Sequence, residues 1–329
     1  MENIVEFKNV IVEYQMKKYN LRAVNDFSLK IKKGKITALV GESGSGKTTI
    51  ANTLLKNVSE PGRVISGNVL YYHDNEVIDI TKLEGESLNS FRWSKISMVF
   101  QGAQNALNPI MTIYDQFYET LKVHRKNVTE TEVIEIAKRY LDLVNLDTEK
   151  VFKAYPHELS GGMKQRVMIA FSLLLEPSLI ILDEPTTALD VIVQDYIFKL
   201  LKKINLELKI SMLLLTHDIS VVSKYADYVA VMYGGKLMEY GTVKTVFGDK
   251  SHPYTEGLIN STPSLDKDIE LIKTIPGNPP DLTDMPTGCI FHPRCAKAFD
   301  QCHLVEPKNT ALSADHIVKC LLYEAGDDK

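Results

Sequence analysis

Apolar runs recur along the chain between glycine- and proline-marked turns, and their period changes with position. Residues 4–40 read as β-rich. Ile4, Val5 and Phe7 predict one strand and Val10, Ile11, Val12 and Tyr14 a second. Phe27 to Ile31 predicts a third, Lys33-Gly34 a turn, and Ile36 to Val40 a buried strand. A helix is expected from Lys47 to about Asn57. Ile65 to Ile80 alternates like a hairpin, with its turn near His73-Asp74-Asn75. Residues 87–93 read as helix and Ile96 to Phe100 as a buried strand. From about 112 to 175 the pattern turns helical. Val133, Ile136, Ala137 and Tyr140 share one face, behind a capping box of Thr129 and Glu132. Leu179 to Leu182 is a fully apolar strand, Val191 to Leu208 a helix, Ser211 to Leu215 a strand, and another helix begins near Ser220. Tyr228 to Met232 and Lys236 to Glu239 flank a Gly234-Gly235 hairpin turn. Strands alternating with helices imply an α/β fold with a largely parallel sheet. Residues 262–294 hold many prolines and few periodic apolar positions, and read as an irregular extension.

The 329 residues, 44% hydrophobic and 24% charged, suit a soluble globular protein with one large domain and a smaller one, or with two. A net charge of −4 argues against nucleic acid as the main partner. The longest apolar run, Val167 to Leu175, contains Ser172 and is far short of the about eighteen residues of a membrane span. The N-terminus lacks the basic and apolar regions of a signal peptide. A cytoplasmic location is therefore expected, with peripheral attachment to a membrane protein open.

Chemistry enters at Gly41-Glu-Ser-Gly-Ser-Gly46-Lys47-Thr48, which fits the phosphate-loop pattern G-x-x-x-x-G-K-[ST] between a strand and a helix. Its glycines let backbone N–H groups wrap a polyphosphate. Lys47 can reach the β- and γ-phosphates, and the Thr48 hydroxyl can ligate Mg²⁺. Downstream, Leu179 to Leu182 ends in Asp183 and Glu184. Asp183 can hold Mg²⁺, usually through water, and Glu184 can act as general base on an attacking water. A buried strand followed by a charged loop is the plain alternative, and the loop upstream favours the chemical reading. Between these elements, Ser160-Gly161-Gly162 opens a helix and offers a second anion cradle.

With Leu159-Ser-Gly-Gly-Met-Lys-Gln-Arg166 in place, the chain resembles the ATP-binding subunits of ABC transporters. The resemblance implies a P-loop NTPase fold: a RecA-like core with an antiparallel β subdomain and an α-helical subdomain. It assigns Gly41, Ser43, Gly44, Ser45, Gly46, Lys47, Thr48 and Thr49 to ATP. It places Ser160 and Gly162 on the ATP held by a paired subunit. Gln101, in Met98-Val-Phe-Gln101, matches the glutamine that joins the Mg²⁺ and water site to the transmembrane subunits, so Thr48, Gln101 and Asp183 would hold Mg²⁺. Ala188-Leu189-Asp190 matches the loop that crosses the pairing interface, with Asp190 at the nucleotide. His217 matches the switch histidine on the γ-phosphate, which makes Glu184, His217 and Gln101 the catalytic set. Tyr14 falls where the family stacks an aromatic on adenine, although a strand tyrosine packing on its sheet, with Tyr19 nearby, reads the same.

His252-Pro-Tyr-Thr255, Ile275-Pro-Gly-Asn-Pro-Pro-Asp281 and Gly288-Cys-Ile-Phe-His-Pro-Arg-Cys295 further resemble the C-terminal extension of oligopeptide and dipeptide importer ATPases. So does Asn105-Ala-Leu-Asn-Pro109, with Ala106 where serine is common. The expected division is an ATP-binding domain over 1–260, with a helical subdomain inserted at about 102–165, and an extension over 261–329. All four cysteines, Cys289, Cys295, Cys302 and Cys320, lie in that extension, spaced C-x5-C-x6-C-x17-C without the short knuckle of most zinc sites. Three readings stand: a [4Fe-4S] cluster, as the resembled subfamily carries; Zn²⁺, with His292 or His303 involved; or free or disulfide-paired thiols. The resemblance implies an ATPase that powers an importer of peptides, with oligosaccharides or nickel complexes as other cargo. Its expected partners are a second, non-identical ATPase, two permeases and an extracytoplasmic solute-binding protein, at the cytoplasmic face of the membrane, with no nucleic acid. The residues from about 102 to 158 would dock the permeases. The alternatives are an ABC ATPase acting on nucleic acid or ribosomes, which usually has two fused cassettes or a coiled-coil insertion, and a binding module without turnover.

Overall fold

The computed structural model describes residues 2–73, 76–125, 127–187, 189–248, 252–261 and 274–324. Asp74, Asn75, Ala188 and the junction 262–273 therefore lie outside the described residues. The strands are β1 (Asn3–Gln15), β2 (Asn20–Lys32), β3 (Ile36–Val40), β4 (Gly62–His73), β5 (Glu76–Asp79), β6 (Ile96–Val99), β7 (Leu179–Asp183), β8 (Ser211–Thr216), β9 (Tyr228–Tyr233), β10 (Lys236–Thr242), β11 (Thr310–Ser313) and β12 (His316–Val318). The chain forms two compact units, one from Met1–Lys82 with Leu215–Lys329, the other from Leu83–Leu214.

In the first unit an antiparallel sheet runs β2-β1-β4-β5. The two strands expected over residues 4–14 are one. Asn9, at φ 47°, makes a bulge where a break was expected, and Asp26 of β2, at φ 52°, makes the facing one. Asn9 Nδ2 donates to Asp26 Oδ1 at 2.7 Å, which fixes both. Asn and Asp tolerate the left-handed region, so the ladder bends without ending. Phe7 and Phe27 pack edge-to-face beneath it at 5.5 Å.

The same unit holds the strand run β11-β12-β10-β9-β3. β3, apolar apart from Thr37 and buried along its length, pairs in parallel with β9. β9 and β10 form the expected hairpin, and Gly234 and Gly235 supply the two positive φ values that its tight turn needs. The described part of the span read as irregular, residues 274–294, holds no strand, and beyond it the extension adds two. β11 and β12 pair with each other, and β12 adds antiparallel to β10, Glu239 opposite Val318. Ile290, Phe291 and Leu321 join Val229, Val231, Tyr233 and Tyr254 in one core.

In the second unit β6 and β7 pair in parallel, with β8 beside β7. The helical run expected over 112–175 divides into helices Ile113–His124, Glu130–Leu143, Thr148–Lys153 and Gly161–Leu173. Asn127 and Asn145, at φ 66° and 55°, turn the chain between them. Thr112 with Asp115 and Thr129 with Glu132 form capping boxes, each worth about 1 kcal/mol to its helix. Phe117 and Trp93 close on Phe171 at 5.0 and 5.2 Å and fix the core of this unit.

Candidate functional site

The phosphate loop leaves the end of β3 in the first unit. Its backbone tolerates only glycine at two points. A Cβ on Gly41 would lie 2.2 Å from Met232 O, and one on Gly46 would lie 2.4 Å from Ala23 O. Both glycines also have positive φ. The loop is tied to the β9–β10 turn, where Gly235 N–H donates to Ser45 O at 3.1 Å. Helix Lys47–Thr53 follows at once, so the loop amides and the lysine share one short arc. Lys47 is buried. Its Nζ donates to Gly41 O at 2.7 Å, to Glu42 O at 2.9 Å and to Ser45 Oγ at 3.4 Å. Ser43, Gly44 and Thr48 are exposed and Thr49 half-buried, which leaves the outer rim open to a ligand.

His217 follows β8 in the same unit and is exposed. Asp218 caps the next helix, Ile219–Tyr225, by accepting from Ser220 and Val221 N–H, and so fixes the backbone just after the histidine. His217 shares with Gly41, Glu42, Ile219, Leu258 and Ile275 a cavity of about 280 Å³. The histidine and the start of the phosphate loop are thereby brought together. Tyr14 is half-buried at the end of β1, opposite Leu21 and Gly62, where a Cβ on Gly62 would meet its ring at 2.7 Å. The ring packs on the antiparallel sheet while the residue stays partly exposed, so the position fits both readings.

The carboxylates belong to the second unit. β7 is buried to its last residue, Asp183. Glu184 then adopts φ 45°, a conformation that costs a branched or charged side chain about 1–2 kcal/mol. Its Oε2 accepts from Gln101 Nε2 at 2.8 Å and from Thr187 Oγ1 at 3.2 Å. The two residues expected to manage the attacking water, 83 positions apart in sequence, are thus joined directly. Thr187 was not legible beforehand, because a threonine two residues after a proline carries no sequence signal of its own.

Ser160 caps helix Gly161–Leu173 and accepts from Met163 N–H at 3.3 Å. Gly162 lies close to the helix Val191–Leu208, where an added Cβ would come within 3.0 Å of Val193. Asp190 caps that helix through Val193 N–H at 2.9 Å. Gln194 Nε2 donates to Thr186 O and Leu189 O, closing the connection between β7 and the helix. Arg166 anchors helix Gly161–Leu173 through Asn145 O at 2.7 Å and lies over the Tyr196 ring.

In the extension all four cysteines are free, with Cys289, Cys302 and Cys320 buried and Cys295 partly so. Cys289 N–H donates to Cys302 O at 2.9 Å. Burial pushes the Cys289, Cys295 and Cys320 thiols up, Cys320 to about 11, and the neighbouring cysteines push each further. The four are therefore gathered in space. Among the described residues, however, no three or more His, Cys, Asp or Glu side chains stand in a metal-binding arrangement.

Known proteins match this chain along nearly its whole length. The ABC transporter family model matches residues 24–187, and that of the oligopeptide/dipeptide transporter C-terminal region matches residues 238–302. The dipeptide transport ATP-binding protein DppD of Caldanaerobacter subterraneus subsp. tengcongensis is 43% identical over 99% of each chain. The oligopeptide transport ATP-binding protein OppD of Escherichia coli is 42% identical over 92% of this chain and 89% of its own. Among solved structures, the ATP-binding cassette MJ0796, a dimer in a post-hydrolysis state bound to ADP and Pi, is 31% identical with a TM-score of 0.63, over 73% of this chain and 99% of its own. The chain belongs to the ATP-binding proteins of the ABC transporter family, in the branch that carries the oligopeptide/dipeptide transporter C-terminal region.

Proposed function

We propose that this chain hydrolyses ATP to drive uptake of dipeptides or oligopeptides through partner permeases. The relatives named above are dipeptide and oligopeptide transport ATP-binding proteins, which supports that cargo over oligosaccharides or nickel complexes. In this reading the loop from Gly41 to Thr49 holds the polyphosphate, Lys47 and His217 contact its terminal phosphates, and Tyr14 stacks on the base. Glu184 takes the proton of the attacking water, and Gln101 orients that water and the carboxylate. Mg²⁺, when bound, would neutralise phosphate charge, and Thr48, Asp183 and Gln101 are its candidate ligands. Ser160, Gly162 and Asp190 serve the nucleotide of a paired ATPase. The domain reading goes with it: ATP binding over 1–260, with the helical insertion at about 102–165, and the extension over 261–329.

The observation that carries hydrolysis is the bond from Gln101 Nε2 to Glu184 Oε2 at the end of β7. It holds a carboxylate beside an amide that can position a water. Among the described residues no helix is long and apolar enough to cross a membrane, so attachment rests on partner proteins. Mild-detergent purification of the tagged chain from native membranes tests the assignment. Two polytopic permeases and a second ATPase are expected with it. Ribosomal or DNA-bound partners without a membrane protein would overturn the transport reading.

The four cysteines supply the donors a [4Fe-4S] cluster takes, free thiols that are mostly buried, and holding one would require them to close on it from the described positions, where no metal-binding grouping stands. Cys289, Cys295, Cys302 and Cys320 would hold it, and its chemistry there is that of a staple. Anaerobic purification should give brown protein with about four irons per chain. Colourless protein with one zinc would assign the site to zinc instead.

A further inference from the structure

The extension reaches the phosphate loop through Glu42, the loop's second residue. Arg294 Nη1 donates to Glu42 Oε2 at 2.6 Å and Nη2 to Glu42 Oε1 at 2.9 Å, a bidentate pair between positions 252 residues apart. The Arg294 side chain is 6% exposed and that of Glu42 26%. The guanidinium is fixed in turn. Nε donates to Pro276 O at 2.8 Å, Nη1 to Tyr233 Oη at 3.3 Å, and the group lies over the Tyr233 ring. Tyr254, buried against Tyr233 and Phe291, accepts from Glu42 N–H at 3.0 Å through its phenolic oxygen. Glu42 is thus held by its side chain, by its N–H and, through Lys47, by its carbonyl.

These holds differ in what a nucleotide does to them. Lys47 Nζ bonds the carbonyls of Gly41 and Glu42. A polyphosphate in the loop competes for that ammonium, because a charge-assisted bond to phosphate is stronger than one to a neutral carbonyl. The bonds from Arg294 and to Tyr254 do not involve Lys47, so that exchange takes nothing from them. A bidentate guanidinium–carboxylate pair also fixes direction, which a lysine point charge does not.

We propose that Arg294 and Tyr254 are positioning residues for the phosphate loop, acting through Glu42 to hold the backbone that receives the phosphates of ATP. Neither touches the nucleotide. Their contribution is to nucleotide affinity, and it ties the loop to the segment that carries Cys289 and Cys295. The inference rests on the reading of Gly41–Thr49 as an ATP site.

The test uses the full-length chain with Mg²⁺ and a fluorescent ATP analogue for Kd, and phosphate release for KM and kcat. Tyr254→Phe removes one oxygen and keeps the aromatic packing. Arg294→Lys keeps the charge and loses the fork. Glu42→Gln removes the acceptor charge. Each should weaken ATP binding and raise KM with kcat unchanged, about tenfold for Arg294→Lys and Glu42→Gln, where a charge-assisted pair is lost, and several-fold for Tyr254→Phe, which leaves the Glu42 N–H without its acceptor. The double variant Arg294→Lys/Glu42→Gln should be no weaker than the worse single, because one interaction is lost in all three. The thermal midpoint of Tyr254→Phe reports that the fold is intact. Unchanged Kd and KM in Tyr254→Phe and Arg294→Lys, while Lys47→Ala loses binding, would overturn the positioning role. A fall in kcat at constant KM would overturn it too. Wild-type binding in Lys47→Ala would instead overturn the ATP-site reading itself.

Discussion

Glu184 carries the sharpest consequence at the scale of single residues. Its left-handed backbone is unfavourable for a glutamate, and it is held by Gln101 and Thr187 through the same Oε2. Glu184→Gln keeps the size and the hydrogen-bonding reach and removes the proton acceptor. ATP affinity should stay at the wild-type level while turnover falls by about 100-fold or more. Phosphate release and nucleotide binding on the same preparation measure both, and a variant that kept most of its turnover would remove Glu184 as general base. The conformation of the phosphate loop was legible in the sequence because its pattern uses neighbours. The loop from Gly41 to Thr48 needs glycines at fixed offsets from a lysine, and Gly41 and Gly46 are indeed closed to any side chain. Glu42 and Arg294 were not legible as a pair. A glutamate at a variable loop position and an arginine 252 residues later share no periodicity, and only tertiary folding makes them partners.

The first turn of helix Pro253–Asn260 makes an element-scale prediction. His252 caps it: its Nδ1 accepts from Tyr254 N–H at 3.0 Å, and its own N–H donates to Glu239 Oε2. Burial lowers the His252 pKa to about 3. An unfolded histidine titrates near pH ~6.5, so as pH falls the unfolded chain takes up the proton first. The stabilisation is complete above about pH 6.5 and is lost from there toward pH ~3, at about 1.4 kcal/mol per unit. From pH 7 to pH 5 this residue alone predicts a loss of about 2 kcal/mol. His252→Asn keeps an acceptor for the Tyr254 N–H and does not titrate, so its loss over the same interval should be smaller by about that amount. Equal losses in urea unfolding at the two pH values would assign the acid sensitivity elsewhere. Elements with strong local signals were read correctly: the capping box of Thr129 and Glu132, the Gly234-Gly235 turn, and the helix from Val191 to Leu208. The elements that were misread depend on distant partners. β1 runs on through Asn9 because Asp26 and Ser28 accept its N–H groups. β11 and β12 are only four and three residues long, with polar residues among them, and become strands by pairing on the edge of β10.

The whole molecule must also account for apolar surface that its own fold leaves uncovered. Val191 and Ile192, at the first turn of helix Val191–Leu208, are 80% and 83% exposed. They follow directly on Asp190, whose side chain is committed to capping the helix, so the pair is presented at a fixed place beside the loop expected to cross between paired ATPases. Covering two branched aliphatic side chains is worth about 3 kcal/mol in all, enough to change a pairing equilibrium by about a hundredfold. Pairing that ATP stabilises should therefore depend on them. In the proposed pairing, the Glu184→Gln chain is expected to retain its nucleotide and so to accumulate the paired state. With Mg²⁺-ATP it should elute as a larger species, alone or with its partner ATPase, and adding Ile192→Asp should return it to the unpaired position while nucleotide binding to the isolated chain is kept. A shift that survives Ile192→Asp would place the pairing surface away from this helix. Loss of nucleotide binding along with the shift would mean that the substitution had damaged the unit itself, and Val191→Ser, a smaller change on the same exposed turn, would then decide between the two.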